Sequence, residues 1–360
     1  MKTNPLFTIV VSGYQNAPYL AKSLTSLTQQ SFRDFEVFCF VEKSTDNSLE
    51  ICQSFSQQDD RIKTVSAPKS GSVAATRNYG IEHASGEYLL AIDGDDWVST
   101  EMLNKIALKL KQTGPLDILA FAGQKMVEKK NGELESSEII SNFTPLDTED
   151  IFSGIEAIRR VSKRSKHFAN FTPLNLYRTS FLRENNLYQI HGRILEDYEW
   201  TPRVFFFAKQ VAYLDDIFYF YRIREGSVTN SMMTSPSLLD IPFQIRKRAA
   251  FSIENNVPAD VLSFWSNQWF EFLFWILFQP DNVQKITKQR RVDALRILFE
   301  NNGRSLFSKI MRYVARPKRL AFPFLLLGAK GWLFPADCFF NCFYYPVSKW
   351  REKIFRRKRP

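Results

Sequence analysis

The sequence predicts an α/β fold with a mostly parallel sheet, followed by a C-terminal α-helical extension. Apolar runs alternate with amphipathic stretches about every 25 to 35 residues up to about residue 115, which is the spacing of strand–helix–strand units. Residues 89–92 are apolar at consecutive positions, as in a strand that is buried on both faces. From Ser237 onward the apolar residues recur at helical spacing.

The first part of the chain contains four predicted strands and three predicted helices. We expect strands at Phe7–Val11, Phe35–Val41, Ile62–Val65 and Leu89–Ile92, and helices at Pro18–Gln30, Ser48–Gln58 and Gly71–His83. Asn16 is expected to cap the first of these helices. The sequence contains neither GxGxxG nor GxxxxGK[ST], which excludes the common glycine-rich phosphate cradles.

Three carboxylates follow the fourth predicted strand. The stretch EYLLAIDGDDW, residues 87–97, places Asp93, Asp95 and Asp96 just beyond the carboxyl end of that strand, where open α/β sheets bind ligands. Clustered acids repel one another, and a divalent cation would remove that repulsion. Oxygen ligands suit Mg²⁺ or Mn²⁺, with substrate phosphates completing the shell. A solvated Asp-Gly turn with capping acids is the alternative that these residues leave open.

The positive charge is concentrated in a C-terminal tail. The chain has a net charge of +10, but residues 304–360, with 14 Lys and Arg against two acids, carry +12. Aromatic residues are interspersed with these cations, and prolines and charges interrupt any long apolar span. This combination predicts interfacial helices on an anionic membrane surface, with a packed helical subdomain as the alternative. We expect no nucleic-acid partner, because no recognised nucleic-acid module precedes the tail.

The N-terminal residues and the cysteines both predict a cytoplasmic protein. The first 15 residues have one Lys, followed by at most six apolar residues, which is unlike a signal peptide or a membrane anchor. We therefore expect a cytoplasmic protein, peripheral on the inner face of the cell membrane. Cys39 lies in a predicted core strand and Cys52 in a predicted helix, whereas Cys338 and Cys342 are one helical turn apart in an aromatic run. Buried free thiols are favoured over a zinc site.

Several motifs between residues 6 and 115 together resemble one enzyme family. They lie in IVVSGYQNAPYLAKSLTSLTQQSFRDFEVF, STDNSLEIC and GSVAATRNYGIEHASGEYLLAIDGDDW. In their order and spacing they resemble the inverting family 2 glycosyltransferases of the GT-A fold, of bacterial surface-polysaccharide type, with the DxD motif at Asp93-Gly94-Asp95. LEDYEW at 195–200 and FYFYRIREGSVTNS at 218–231 are similar to the second-half signature of that family.

The resemblance implies both an activity and a domain organisation. It implies a metal-dependent transferase that moves a sugar from a nucleotide-diphosphate sugar, a UDP-sugar by default, to a hydroxyl of a saccharide acceptor. Together with the basic tail, it points to a lipid-linked acceptor in bacterial surface polysaccharide synthesis. It divides the chain into a GT-A catalytic domain at 1–230, a helical subdomain at 231–303 and a membrane-associating tail at 304–360. Within the catalytic domain, the nucleotide-sugar half extends to about residue 115 and the acceptor half follows it.

The resemblance also assigns the metal site and the catalytic acids. Asp95 and Asp93 would hold Mn²⁺ or Mg²⁺, with Asp93 also on the ribose side and Asp96 supporting the shell. Asp197 would be the general base, and Glu196 would hold the geometry or the acceptor. Without the resemblance, two acids in a first helical turn are more simply explained by the helix dipole.

Five further residues are implied to bind the donor. They are Tyr14, which would pack on the base, Glu42, which would accept a hydrogen bond from it, and Arg77, Arg222 and Arg224, which would approach the phosphates. The family usually has Asp-Asp-Gly where this chain has Val41-Glu42-Lys43, so uridine is only the default base. Two alternatives remain: a nucleotidyltransferase on a similar sheet, and a non-catalytic adaptor that binds membrane or polymer.

Overall fold

The computed structural model describes two compact units, Met1–Glu225 and Gly226–Pro360. The described residues are 4–165, 167–224, 236–279, 282, 284–300, 303–314, 321–331, 333 and 336. All the described strands lie in the first unit, and the described part of the second unit is helical. Residues 225–231 of the motif at 218–231 and residues 337–360 of the tail, which include Cys338 and Cys342, lie outside the described residues.

One mixed sheet of nine strands forms the centre of the first unit. The strands are β1 (Phe7–Gly13), β2 (Phe35–Glu42), β3 (Ile62–Ala67), β4 (Tyr88–Asp93), β5 (Trp97–Val98), β6 (Ile118–Glu128), β7 (Leu134–Ile140), β8 (Asn175–Arg178) and β9 (Val211–Ile223). Their order is β3-β2-β1-β4-β8-β6-β9-β5, with β7 paired to β6. The first four strands pair with one another in parallel, whereas β8 runs antiparallel to β4 and β6.

Seven helices surround this sheet. They are α1 (Ala17–Thr28), α2 (Ser48–Gln58), α3 (Ala74–His83), α4 (Met102–Thr113), α5 (Gly154–Arg164), α6 (Thr179–Glu184) and α7 (Glu196–Phe207) among the described residues. Ile9 and Val11 of β1 share one core cluster with Leu20 and Leu24 of α1. Residues 88–92 of β4 are all buried, as the continuous apolar run predicts. Because β4 is a central strand of the sheet and ends at Asp93, the acids that follow lie at the carboxyl ends of the parallel strands.

The start of α1 differs from the prediction. Asn16 occupies the N-cap position, but its side chain makes no capping hydrogen bond and donates instead to the carbonyl of Ser12 over 3.1 Å. The N–H of Ala17 donates to the carboxylate of Asp46 over 2.9 Å. Asn16 therefore holds the predicted N-cap position, but its side chain does not cap α1. The carboxylate of Asp46, from the loop after β2, lies at the helix N-terminus instead, where negative charge is favoured.

Five helices form the described part of the second unit. They are α8 (Asp240–Glu254), α9 (Ala259–Phe278), α10 (Lys288–Phe299), α11 (Gly303–Ile310) and α12 (Phe322–Ala329). Trp265 and Trp269 of α9 are fully buried, as are Leu295 of α10 and Phe307 of α11. Within the described residues, no helix combines the length and the apolar character that crossing a bilayer requires.

Candidate active site

Four of the predicted site residues lie at or just after the ends of parallel strands. Tyr14 follows β1, Glu42 and Asp93 are the last residues of β2 and β4, and Asp95 comes two residues after β4. Since β1 pairs with both β2 and β4 in parallel, these residues lie at the same end of the sheet. Ligands of open α/β sheets bind at this end, outside the carboxyl ends of the strands.

Arg77 is the centre of a buried cluster of ion pairs. It lies on α3 and is 4% exposed. Its Nη1 donates to Oε1 of Glu196 over 2.6 Å and to Oδ1 of Asp197 over 2.5 Å. Its Nη2 donates to Oδ1 of Asp93 over 3.3 Å. One guanidinium therefore joins the first Asp of the DxD motif to the two predicted catalytic acids at the start of α7.

Burial raises the pKa of two carboxyl groups in this cluster. Burial and the charges of Asp95 and Asp197 raise the pKa of Asp93 to about 6, against the opposing effect of Arg77. Burial and the charge of Asp197 likewise raise the pKa of Glu196 to about 7. Burial alone would lower the pKa of Arg77, but the surrounding carboxylates raise it. One guanidinium facing three carboxylates leaves an excess of negative charge, which a bound cation would balance.

Asp93 and Asp95 present oxygen atoms that suit a hard cation. Among the described residues, Arg77 donates to Oδ1 of Asp93 and Arg224 donates to Oδ2 of Asp95 over 3.1 Å, and the second oxygen of each carboxylate accepts no hydrogen bond. Both side chains are about a quarter exposed, 25% and 24%. The described residues contain no group of three or more His, Cys, Asp or Glu that could hold a metal ion. Two carboxylates therefore fit Mg²⁺ or Mn²⁺ only when substrate phosphates supply further ligands.

Asp96 is hydrogen-bonded to strand β9. It is 1% exposed, its Oδ2 accepts from the hydroxyl of Tyr219 over 2.5 Å, and its Oδ1 accepts from the N–H of Arg222 over 2.7 Å. The Tyr219 hydroxyl also accepts from the N–H of Asp93 over 3.2 Å. These two hydrogen bonds connect Asp96 to β9, and its expected support of the metal shell stays a prediction.

The two predicted phosphate-binding arginines on and after β9 lie beside Asp95. Arg222 is 6% exposed, and its Nε donates to the carbonyl of Asp95 over 3.0 Å. The Arg222 guanidinium also packs 4.6 Å from the ring of Tyr19 and 5.2 Å from that of Trp97. Arg224 pairs with the carboxylate of Asp95 and is 21% exposed. Arg224 is therefore the more accessible of the two cations.

Of the two predicted base-binding residues, Glu42 lines a cavity at the ends of β2 and β3. Tyr14 is 38% exposed, and its hydroxyl accepts a hydrogen bond from the amine of Lys69 over 2.6 Å. Glu42 is 6% exposed and accepts hydrogen bonds from both the N–H and the hydroxyl of Ser70. A cavity of about 420 Å³, which Glu42 and Asp46 help to line, has the size of a small-molecule site.

Thr172 contacts the predicted base but was missed by the sequence analysis. Its N–H donates to Oδ2 of Asp197 over 3.2 Å, and its hydroxyl donates to Oδ1 over 2.5 Å. Thr172 lies in a 3₁₀ helix, Thr172–Leu174, and is 25 residues from Asp197 in the chain. Neither periodicity nor a motif marks this position, so only the tertiary structure reveals the contact.

Comparison with known proteins identifies the family of the first part of the chain. The family model described as Glycosyl transferase family 2 matches residues 8–184. That range includes the parallel strands β1–β4, Arg77 and the DxD motif. Residues 8–184 form a family 2 glycosyltransferase domain.

Curated relatives of this glycosyltransferase are bacterial. Glycosyltransferase GlyG of Streptococcus pneumoniae is 25% identical over 62% of this chain and 72% of its own length. The uncharacterized glycosyltransferase EpsJ of Bacillus subtilis is 28% identical over 62% of this chain and 63% of its own length. The poly(ribitol-phosphate) beta-N-acetylglucosaminyltransferase TarS of Staphylococcus aureus is 25% identical over 64% of this chain and 38% of its own length. The matched part thus spans less than two thirds of EpsJ and of TarS.

The fold resembles that of a solved glycosyltransferase structure. The crystal structure of residues 1–349 of S. aureus TarS in complex with UDP-GlcNAc matches with a TM-score of 0.71 over 94% of this chain and 92% of that chain, at 19% identity. The predicted GT-A fold class is therefore confirmed. The family match and the named relatives confirm the predicted enzyme class, a glycosyltransferase.

Proposed function

We propose that this glycosyltransferase moves a sugar, with inversion and with the aid of Mn²⁺ or Mg²⁺, from a UDP-sugar to a hydroxyl of a saccharide acceptor. The observation that carries the proposal is the position of Arg77 between Asp93 and Asp197. A single guanidinium separates the acid of the proposed cation site from the proposed base. The leaving diphosphate and the attacking hydroxyl would therefore lie close enough for one displacement.

Asp95 and Asp93 would hold the cation. When bound, the cation would act as a Lewis acid that neutralises the charge developing on the leaving diphosphate. Arg224, beside Asp95, is the protein cation that we propose to contact the same diphosphate, with Arg222 holding the strand end in place. Arg77 compensates the carboxylates around it and thereby keeps Asp93 and Asp197 at a fixed separation.

Asp197 is the proposed base. It would accept the proton of the acceptor hydroxyl while the hydroxyl oxygen attacks the anomeric carbon and the bond from that carbon to the diphosphate oxygen breaks. Because attack and departure occur on opposite faces of the sugar, the configuration inverts without a covalent intermediate on the enzyme. Glu196, whose pKa of about 7 leaves it partly protonated near neutral pH, would hold the acceptor by a hydrogen bond.

The donor nucleotide would lie along the ends of β1 and β2. Tyr14 offers a half-exposed ring for stacking on the base, and Glu42 lies beside the cavity described above. Each oxygen of the Glu42 carboxylate accepts one hydrogen bond from Ser70 and can accept a further one from the base. We take a UDP-sugar as the donor because TarS, which has the same fold, was crystallised with UDP-GlcNAc.

The acceptor is proposed to be a lipid-linked saccharide of a bacterial surface polymer. TarS is named for transfer to poly(ribitol-phosphate), and residues 304–360 of this chain carry a net charge of +12. Such a tail favours the anionic surface of a membrane, and we propose that it places the enzyme on the inner face of the cell membrane. Binding to vesicles containing phosphatidylglycerol, lost in 0.5 M salt or on removal of residues 337–360, would test this part separately.

A ligand panel tests the catalytic proposal. UDP-, GDP-, CDP- and dTDP-sugars are added with and without Mn²⁺, thermal unfolding is followed, and release of the nucleoside diphosphate is then measured. We expect a UDP-sugar with Mn²⁺ to raise the unfolding temperature, because a ligand that binds only the folded state stabilises it, and we expect UDP to be released. A protein unaffected by every member of the panel, or one that releases diphosphate from a nucleoside triphosphate, contradicts the proposal.

A further inference from the structure

The hydrogen bonds to Asp197 leave one of its oxygens less occupied than the other. Oδ1 accepts from Nη1 of Arg77 and from the hydroxyl of Thr172. Oδ2 accepts only from the N–H of Thr172. Each oxygen of an ionised carboxylate can accept about two hydrogen bonds, so within the described part of the chain the capacity of Oδ1 is used and Oδ2 retains one position. The side chain is 17% exposed, so this position can face a ligand.

The direction of the hydrogen bonds at Thr172 follows from its chemistry. A hydroxyl has one proton, and an ionised carboxylate can only accept, so Thr172 donates to Asp197. The lone pairs of the hydroxyl then accept from Nε2 of Gln189 over 3.3 Å. The result is a chain of donors that runs from Gln189 through Thr172 to Asp197, in which each hydrogen bond polarises the next.

This chain of donors is anchored on the helix that carries Arg77. Asn78 accepts from the N–H of Gln189 over 2.8 Å and donates to its carbonyl over 2.8 Å. Thr172, Gln189 and Asn78 are each no more than 3% exposed. Two neighbouring residues of α3 therefore restrain Asp197, Arg77 directly and Asn78 through Gln189 and Thr172.

We propose that Thr172 is a positioning residue for the transfer reaction. By occupying Oδ1 with its hydroxyl, it turns Oδ2 of Asp197 toward the acceptor. The proton of the acceptor hydroxyl then passes to Oδ2, the hydroxyl oxygen bonds to the anomeric carbon, and the electron pair of the broken bond leaves with the diphosphate. This inference rests on the proposed role of Asp197 as the base.

The test compares Thr172→Val with Thr172→Ser in the full chain. The assay is acceptor-free hydrolysis with Mn²⁺ of whichever UDP-sugar of the panel the wild type hydrolyses fastest, followed by UDP release, so that water takes the place of the acceptor. Val has a similar shape but no hydroxyl, and we expect kcat to fall about 10- to 100-fold while KM for the donor changes less than about twofold, because misplacement of a catalytic group affects the chemical step. Ser restores the hydroxyl and should recover kcat to within about threefold.

Two further variants make the result specific. Thr179→Val removes another buried threonine hydroxyl, one that donates to the carbonyl of Gly86 over 2.8 Å and does not contact Asp197, and it should keep wild-type kcat. If Thr172→Val does not fold, Gln189→Leu replaces it, since this variant removes the donor behind Thr172 and should lower kcat about 3- to 10-fold.

The outcomes separate this inference from the proposed function. An active wild type with an inactive Asp197→Asn variant, but with Thr172→Val at full kcat, would overturn the role of Thr172 alone. Equal losses in Thr172→Val and Thr172→Ser would overturn it as well, because the hydroxyl would then not be the group that matters. A wild type that releases no UDP from any UDP-sugar, or an Asp197→Asn variant with full activity, would instead contradict the proposed function.

Discussion

The guanidinium of Arg77 donates to the carboxylate of Asp197 over 2.5 Å, although 120 residues separate them in the chain. This contact joins the two halves of the first unit at the site. Without it, the buried Glu196 and the partly exposed Asp197 would lie near Asp93 without the positive charge of Arg77. The electrostatic balance of the site therefore depends on one side chain of α3.

Replacing Arg77 with Met should destabilise the protein strongly. The three carboxylates around it would lose their shared cation, and removing one partner of a buried ion pair typically costs about 3–5 kcal/mol of unfolding free energy. Urea unfolding at pH 8 measures the change. Arg33→Met, which alters an exposed arginine, should change the stability by less than about 0.5 kcal/mol. An Arg77→Met variant as stable as the wild type would show that the cluster is not held by charge.

Replacing Asp95 with Asn should remove cation-dependent donor binding without destabilising the fold. Asp95 is a quarter exposed, and the neutral amide is a much poorer ligand for a hard cation. The measurement is the rise in unfolding temperature on adding Mn²⁺ and UDP together, which should disappear in the variant. The exposed Asp60→Asn variant should keep the full rise. Retention of that rise by Asp95→Asn would refute the assigned metal ligand.

Replacing Tyr219 with Phe should lower stability but spare the cation site. Asp96 would remain buried with one of its two hydrogen bonds removed, and an unsatisfied buried acceptor costs about 1–3 kcal/mol. Thermal unfolding measures this loss, and Mn²⁺ titration in the presence of UDP should give an unchanged midpoint. A variant with wild-type stability and weakened Mn²⁺ binding would instead show that the Tyr219 hydroxyl supports the metal site through Asp96 or through the N–H of Asp93.

The position of the acids at the carboxyl end of β4 could be predicted from the sequence because it depends on a local pattern. The continuous apolar run of β4 predicts a doubly buried strand, and acids that follow such a strand lie where ligands bind. The pairing of Arg77 with Glu196 and Asp197 and the contact of Thr172 with Asp197 depend on which distant segments meet, and no periodicity encodes that. The partners of Asp96 could not be predicted from the motif either. Asp96 follows Asp95 in the sequence, but its oxygens accept hydrogen bonds from β9.

The pH dependence of stability should reveal Glu196. Its pKa is raised from 4.5 to about 7 in the folded protein, so between these values the folded state holds a proton that the unfolded chain has released. The free energy of unfolding should therefore fall as the pH rises from about 4.5 to about 7, with a contribution of about 1–3 kcal/mol from this group. Urea unfolding in EDTA at pH 5 and pH 8 tests this. Glu196→Gln should reduce the difference between the two pH values and the exposed Glu184→Gln should not; an unchanged difference in Glu196→Gln would rule out the raised pKa.

A crystal structure with Mn²⁺ and UDP-GlcNAc, recorded at a wavelength that gives an anomalous signal from manganese, tests the central claim most directly. The account predicts an anomalous peak within about 2.0–2.4 Å of carboxylate oxygens of Asp95 or Asp93 and of the donor phosphates, the range expected for hard cations of this size. A bound donor whose diphosphate lies away from these carboxylates, with no manganese beside them, would contradict it.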